Sequence, residues 1–334
     1  MKVYYLLFLV VFLVGCEYID TDLIGDFTKD VDSVVNTIVK DSGSVEVYFC
    51  PRDGCEAELV DFLSDASESI HCAFYDVDLP DLTSLLVEKS SSIDIKVIID
   101  EDNEDEFVSD FVLVDSGTGL MHNKFCVVDS SKVFTGSFNP TVNGAEKNNN
   151  NMLLIESSVL AENYEKAFDS LWNSERAEVL NSKIELSGVR VENYFCPRDD
   201  CGVEVKEELD KAEESIYFMT FSFTHEGIAN SLLIKNSEDV LVTGVFENRG
   251  SGSEYSKFSV LDYQGADVRK DGNSATMHHK VFIIDEKTVI TGSFNPSKNA
   301  DTKNDENILI IEDASLAARF LEEFELVWSE AKTI

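Results

Sequence analysis

Hydrophobic and polar positions run through one succession of periods, and the chain repeats that succession. Short apolar runs, Val45–Phe49 and Val191–Phe195, read as strands that end at cysteine-flanked loops. Apolar residues three and four apart over Glu56–Glu68 and Val203–Glu214 predict amphipathic helices. Next come β runs at Ile70–Tyr75 and Ile216–Phe223, a short helix, and strands at Ile95–Ile99 and Val240–Phe246. Two strand-turn-strand units follow, Lys124–Asp129 with Val133–Gly136 and Lys280–Asp285 with Thr288–Gly292, with polar turns between them. Final strands, Met152–Glu156 and Ile308–Glu312, lead into helices that carry Trp172 and Trp328 on apolar faces, with Ser157 and Asp313 as caps. Strands interleaved with helices predict an α/β sandwich with mixed sheets flanked by helices.

The repetition extends to residue identity. Tyr48–Asp53 recurs as Tyr194–Asp199, an offset of 146, and Met121-His122 recurs as Met277-His278, an offset of 156. Thr135–Pro140 recurs unchanged as Thr291–Pro296. A period of this length is too long for a solenoid, so one domain is doubled, over residues 45–182 and 183–334.

Composition changes the picture at the N-terminus and at the surface. Lys2 precedes an apolar run, Val3–Val14, that is too short to span a bilayer and suits a signal peptide over residues 1–15. Leu13-Val14-Gly15-Cys16 resembles a prokaryotic lipoprotein signal, with Cys16 as the lipidated residue; a plain secretory signal is the alternative. Residues 16–44 then form a tether with a helix over Lys29–Val39, and the protein is expected outside the cytoplasm at a membrane surface. With 64 acidic against 27 basic residues, the net charge is −37. Such a surface repels phosphate backbones, so nucleic acid is disfavoured unless a groove is locally basic. It equally suits a salty environment or a well-solvated surface.

The cysteines point the same way. Cys50 and Cys55 match Cys196 and Cys201, two pairs that each clip a short loop as a disulfide in an oxidising compartment; a joint four-cysteine zinc site is the rival. Cys72 and Cys126 lie in apolar runs and read as buried free thiols. Arg52 and Arg198, beside the paired cysteines, read as partners in salt bridges within their loops. Residues 148–151 read as a polar loop, and His71 and His225 as packing or seam residues.

The chemistry lies in the duplicated histidine segment. Residues i and i+2 share a strand face, so His278 and Lys280 point together and His279 points away as a spacer. The first copy has His122 and Lys124, with Asn123 at the position of His279. The shared pattern is H-x-K-x4-D-x6-G-S-x-N, taking in Asp129, Ser137 and Asn139 in one half and Asp285, Ser293 and Asn295 in the other. Imidazoles act as nucleophile and as acid or base near neutral pH, while ammonium, hydroxyl and amide donors suit a phosphodiester whose charge grows in the transition state. Two copies related by a pseudo-two-fold place one histidine on each side of a phosphorus atom.

This doubled motif resembles the phospholipase D superfamily, in its secreted prokaryotic branch, over about residues 45–334. The resemblance implies two similar α/β halves packed face to face with the active site in the seam, and metal-independent phosphodiester chemistry through a phosphohistidine. It carries catalytic roles to His122, Lys124, Asp129, His278, Lys280 and Asp285, and substrate contacts to Ser137, Asn139, Ser293 and Asn295. No cofactor or metal is implied, and a monomer holds a complete site. Phospholipid is the leading substrate; a nuclease, a phosphatidyl transferase and a non-catalytic phosphate-binding module are the alternatives. Family members often carry an acidic residue about ten positions after the G-S-x-N element; Glu306 fits, and Asn150 stands at its counterpart. Read as the partner of His278, Glu306 raises that histidine's pKa and makes it the general acid, with His122 as the nucleophile.

Overall fold

The computed structural model describes residues 38–174 and 181–332. The expected signal peptide, Cys16 and nearly all of the expected helix at Lys29–Val39 lie outside these residues. Residues from Val39 onward form one compact unit. Its first element, β1 (Val39–Asp41), falls where the sequence suggests a tether, and it pairs in parallel with β9 at the start of the second half.

The first half runs β2 (Ser44–Cys50), α1 (Cys55–Ser64), β3 (Ser69–Phe74), α2 (Pro80–Lys89), β4 (Asp94–Asp100), β5 (Val112–Asp115), β6 (Lys124–Val128), β7 (Lys132–Gly136), α3 (Val142–Glu146), β8 (Asn150–Glu156) and α4 (Ser158–Asn173). The second runs β9 (Lys183–Leu186), β10 (Val189–Cys196), α5 (Cys201–Asp210), β11 (Ser215–Thr220), α6 (Glu226–Ser237), β12 (Leu241–Phe246), α7 (Phe258–Tyr263), β13 (Asp267–Lys270), β14 (Lys280–Ile284), β15 (Thr288–Gly292), α8 (Lys298–Thr302), β16 (Glu306–Glu312) and α9 (Ala314–Glu330). One sheet has the order β2-β8-β7-β6-β3-β4-β5, and β10-β16-β15-β14-β11-β12-β13 reproduces it in the other, with β9 and β1 added at the edge.

The apolar runs explain the layers. β6 is buried on both faces, as a central strand must be. Phe125 and Val127 face the core between the sheets, while Cys126 and Val128 face the outer layer beneath α1 and α2. The inner core also takes Tyr164 and Phe168 from α4 and Phe320 and Phe324 from α9. Ser157 and Asp313 cap those two helices as expected, accepting from the backbone N–H of Leu160 at 3.0 Å and Ser315 at 2.7 Å. Trp172 and Trp328 extend the same faces, stacked on Phe168 and Phe324.

The cysteine expectations divide. Cys50–Cys55 and Cys196–Cys201 are disulfides, which leaves no thiolates for a zinc site there. Cys72 and Cys126, expected as free thiols, are a third disulfide. They are direct cross-strand partners of β3 and β6, a register that the separate apolar runs do not reveal. The second half fills the equivalent positions with the register partners Phe218 and Phe282.

Candidate active site

Each histidine stands just before its strand, on a lead-in that pairs with the other half. Met121 bridges Asp305, and the His122 N–H donates to the Asp305 carbonyl at 3.0 Å. Met277 bridges Asn149, and the His278 N–H donates to the Asn149 carbonyl at 2.8 Å. This exchange brings the first residue of β16 to His122 and the first residue of β8 to His278.

The partner of each histidine therefore comes from the opposite half. His122 Nδ1 lies 2.8 Å from Glu306 Oε2. His278 Nδ1 lies 2.9 Å from Asn150 Oδ1 and 3.1 Å from the Ser137 carbonyl. This corrects the assignment of Glu306 to His278: sequence proximity suggested a partner within one half, and the crossed pairing supplies the other. Asn150 Nδ2 donates to the Gly144 and Asn148 carbonyls, so its oxygen faces the ring and His278 carries its proton on Nδ1. In both rings the Nδ1 side is occupied, which leaves Nε2 for chemistry. Asn150 and Asn151 are wholly buried as the start of β8, which also corrects the expected polar loop.

Lys124 and Lys280 complete the cluster, with ammonium groups 2.5 and 2.8 Å from the carbonyls of His122 and His278. Lys124 also lies 5.1 Å over the Tyr75 ring, and Lys280 5.0 Å over Phe221. The same rings flank the histidines, at 5.0 and 4.8 Å. Tyr75 and Phe221 are site residues that motif reading misses, although both follow the repeat-matched strand at the 146-residue offset. Asp76, half-buried near Lys124, is another, and burial followed by Asp78 pushes its carboxyl up to about 6.

Desolvation dominates the electrostatics. Burial, reinforced by the two ammonium groups, holds both histidines well below the ordinary imidazole value. Burial brings Lys124 down to about 7. Lys280 is lowered by burial and then by Lys124. Burial raises Glu306 to about 8, against the pull of Lys124 and the Ser293 hydroxyl. Two lysines and two imidazoles thus converge around Glu306, with Asp76 near Lys124, a cluster that a bound anion would stabilise.

Other motif residues take structural posts. Asp129 and Asp285, expected to be catalytic, stand beyond the far ends of β6 and β14. Asp129 accepts the backbone N–H groups of Ser67, Glu68 and Ser69, and Asp285 those of Glu213, Glu214 and Ser215. They also occupy left-handed turn positions, with φ of 48° and 50°, which a short polar side chain tolerates. Ser137 and Ser293, expected to bind substrate, are fully buried. Ser293 donates to Glu306 Oε2 at 2.7 Å and accepts from the Asn307 N–H, and Ser137 accepts from the Asn151 N–H. These hydroxyls brace the seam. Asn139 and Asn295 differ: each keeps a buried amide oxygen with no hydrogen-bond partner among the described residues, at the loop that follows β7 or β15.

His279 faces away from the site as expected, yet it is more than a spacer. Its Nδ1 accepts from Asn151 Nδ2 at 3.2 Å, and its Nε2–H donates to Glu323 at 2.9 Å. Glu323 also pairs with Arg52, so that arginine bridges to α9 and not within its own loop. Arg198 does pair within its loop, with Asp199. His71 is held by Glu165 and Asp94, and His225 caps α6.

Comparisons with known proteins agree with this geometry. A family model described as cardiolipin synthase, phospholipase D-like domain, matches the chain twice, at residues 59–172 and 205–328. The chain belongs to the phospholipase D superfamily. A phospholipase D from Rickettsia prowazekii is 33% identical over 50% of this chain and 82% of its own length. A mitochondrial cardiolipin hydrolase from Xenopus laevis is 35% identical over 37% of this chain and 59% of its own. The crystal structure of phosphatidylserine synthase from Haemophilus influenzae superposes with a TM-score of 0.67 at 13% identity, over 92% of each chain. That likeness establishes the two-repeat phospholipase D fold along almost the whole chain.

Proposed function

We propose that the chain hydrolyses phospholipids at the head-group ester, as a membrane-anchored enzyme outside the cytoplasm. It is a phospholipase D-type phosphodiesterase. The observation that carries this reading is the convergence of His122, Lys124, His278 and Lys280 from both halves around Glu306. The names of the relatives, phospholipase D and cardiolipin hydrolase, support a lipid substrate. The net charge of −37 weighs against nucleic acid. Lipidation at Cys16 would supply proximity to the bilayer.

His122 is the nucleophile and His278 the general acid. Glu306 accepts from His122 Nδ1–H, fixes the tautomer with a bare Nε2, and stabilises the positive charge that grows on the ring during attack. His278 rests on a neutral amide and a carbonyl; a bound phosphate raises the ring's pKa so that it takes up a second proton, and with no carboxylate behind the ring to hold it that proton passes to the leaving oxygen. Nε2 of His122 forms a bond to phosphorus as the bond to the head-group oxygen breaks, and His278 gives that oxygen its proton. Water then attacks phosphorus, His278 takes a proton from it, and the P–N bond breaks to release the phosphomonoester. Lys124, Lys280 and the amides of Asn139 and Asn295 hold the phosphoryl oxygens.

A parallel assay on mixed phospholipid vesicles and on single- and double-stranded DNA, across a salt series, tests the proposal. Release of head group that is lost in His122→Ala and His278→Ala is the expected result. Cleavage of DNA with no lipid turnover would overturn the substrate class, and lipid turnover that survives both substitutions would overturn the mechanism.

A further inference from the structure

The two sides of the phosphorus site differ in what stands beyond them. In the second half, a cleft of about 990 Å³ lies between the N-terminus of α6, the start of α8 and residues 254–257. It borders the site along two walls. Ser222 follows Phe221, the ring 4.8 Å from His278, and Ser297 follows Asn295 by two residues. The N–H groups of Thr224 and His225 both donate to the Pro296 carbonyl at 2.9 Å, which ties those walls together. Counted through the repeat, the first half has Asp76 and Asp78 in place of Ser222 and Thr224. It has Leu79, Val142 and Ala145 in place of His225, Lys298 and Asp301. One side of the site therefore offers carboxylates and apolar side chains where the other offers hydroxyls.

Most charges in the cleft are taken up by neighbours. His225 Nδ1 accepts from the Ile228 N–H, so its Nε2–H donates to Asp301 at 3.3 Å, and Asp301 also accepts the Gly202 N–H at 2.7 Å. Glu226 lies 3.7 Å from Lys257. Glu254 and Lys298, one of each sign, make no ion pair among the described residues. The uncharged groups are open. The Ser222 and Thr224 hydroxyls and the Asn299 amide make no side-chain hydrogen bond among the described residues. Ser297 Oγ accepts from the Ala300 N–H and keeps its own proton to donate. Tyr255 is 68% exposed at the same cleft, an aromatic face left to solvent. Hydroxyl and amide groups meet the hydroxyls of a polyol, and an aromatic ring covers the C–H face of a cyclic one.

We propose that this cleft receives the head group, and that the head group is an uncharged polyhydroxylated ring of inositol or sugar size. The assignment rests on the phospholipase reading: His278 protonates the leaving oxygen, so the leaving group lies on the His278 side, where the cleft begins. An ammonium head group finds Glu226 and Asp301 already held, and Lys257 and Lys298 repel it.

Hydrolysis of phosphatidylinositol, phosphatidylglycerol and phosphatidylethanolamine in detergent micelles at fixed ionic strength tests the assignment. The first two lipids carry the same charge, so their comparison isolates the ring. The kcat/KM for phosphatidylinositol should exceed that for each of the others by about tenfold, and Tyr255→Ala and Thr224→Val should each reduce that ratio by about fivefold. Saturation-transfer NMR with free myo-inositol reads the cleft without turnover, and the transfer should be lost in Tyr255→Ala. Equal turnover of the three lipids, preference for either of the others, or a ratio unchanged in both variants would overturn the proposal and leave the phospholipase reading standing. If no lipid is turned over, the phospholipase reading fails and the transfer decides the cleft. A signal lost in Tyr255→Ala then upholds ring binding, and no signal, or one unchanged in the variant, overturns it as well.

Discussion

Glu306→Gln separates the electrostatic role of Glu306 from its shape. Glu306 Oε2 accepts both from His122 Nδ1 at 2.8 Å and from the Ser293 hydroxyl at 2.7 Å. A glutamine oxygen in that place can accept both bonds, so the ring stays oriented; what is lost is the carboxylate charge that pairs with the imidazole as it becomes positive during attack. The positive charge that develops on the imidazole loses its counter-charge, worth about 3 kcal/mol at an effective dielectric of about 20 and a charge separation of about 5 Å; the charge assistance of the hydrogen bond is part of that figure. About 3 kcal/mol corresponds to a fall in kcat of about 10²-fold, with KM little changed. Steady-state hydrolysis of a chromogenic phosphodiester, with rapid-quench measurement of the first turnover, reads both the rate and the step. The slowing should fall on formation of the phosphoenzyme. A Glu306→Gln rate within about threefold of wild type would refute the claim that this carboxylate supports the nucleophile.

Further outcomes follow from the same geometry. The pH profile of kcat/KM should fall on its alkaline side with an apparent pKa near 7, because Lys124 binds the phosphate as an ammonium and loses its proton as pH rises through its lowered value. In kcat that limb should move to higher pH, since the bound phosphate raises the lysine again; an unmoved limb would argue that Lys124 does not meet the phosphate. Asp129→Asn should cost about 1–2 kcal/mol of stability in urea unfolding and leave kcat within about twofold, because the carboxylate clamps three backbone N–H groups far from His122. Glu323→Ala strips the buried His279 N–H of its acceptor and should destabilise by about 2–4 kcal/mol in the same assay. Replacing Cys72 and Cys126 together by alanine opens a loop of 54 residues and should cost about 4 kcal/mol on the chain-entropy estimate. Denatured, unreduced protein should show no free thiol at either position.

Much of the fold was legible because it is written twice. Period and repeat together gave the strand-helix succession, the caps at Ser157 and Asp313 and the two short disulfide loops, and the doubled His-x-Lys pattern singled out His122 and His278. What remained hidden depends on contacts between distant segments. The Cys72–Cys126 bridge follows from the register of β3 against β6, which neither apolar run reveals alone. The partnership of Glu306 with His122 follows from the crossed lead-ins, Met121 on Asp305 and Met277 on Asn149, and these reverse what proximity in sequence suggests. Asp129 and Asp285 show a different limit. A residue fixed in a motif can be held there by backbone geometry, and two consecutive left-handed positions with three N–H groups to satisfy call for an aspartate as firmly as catalysis would. The start of β8 misled for a third reason: Asn150 and Asn151 look like a polar loop, yet their amides are consumed inside the seam.

One site is shared between the halves, and from it His122 attacks phosphorus. Acid-stable trapping is unsuitable for a phosphohistidine, so the direct measurement is alkaline quenching of an early turnover followed by peptide mass spectrometry. The phosphoryl group should be found on His122, absent in His122→Ala and still formed from an activated aryl ester in His278→Ala. A label on His278, or turnover with no label on either histidine, would contradict it.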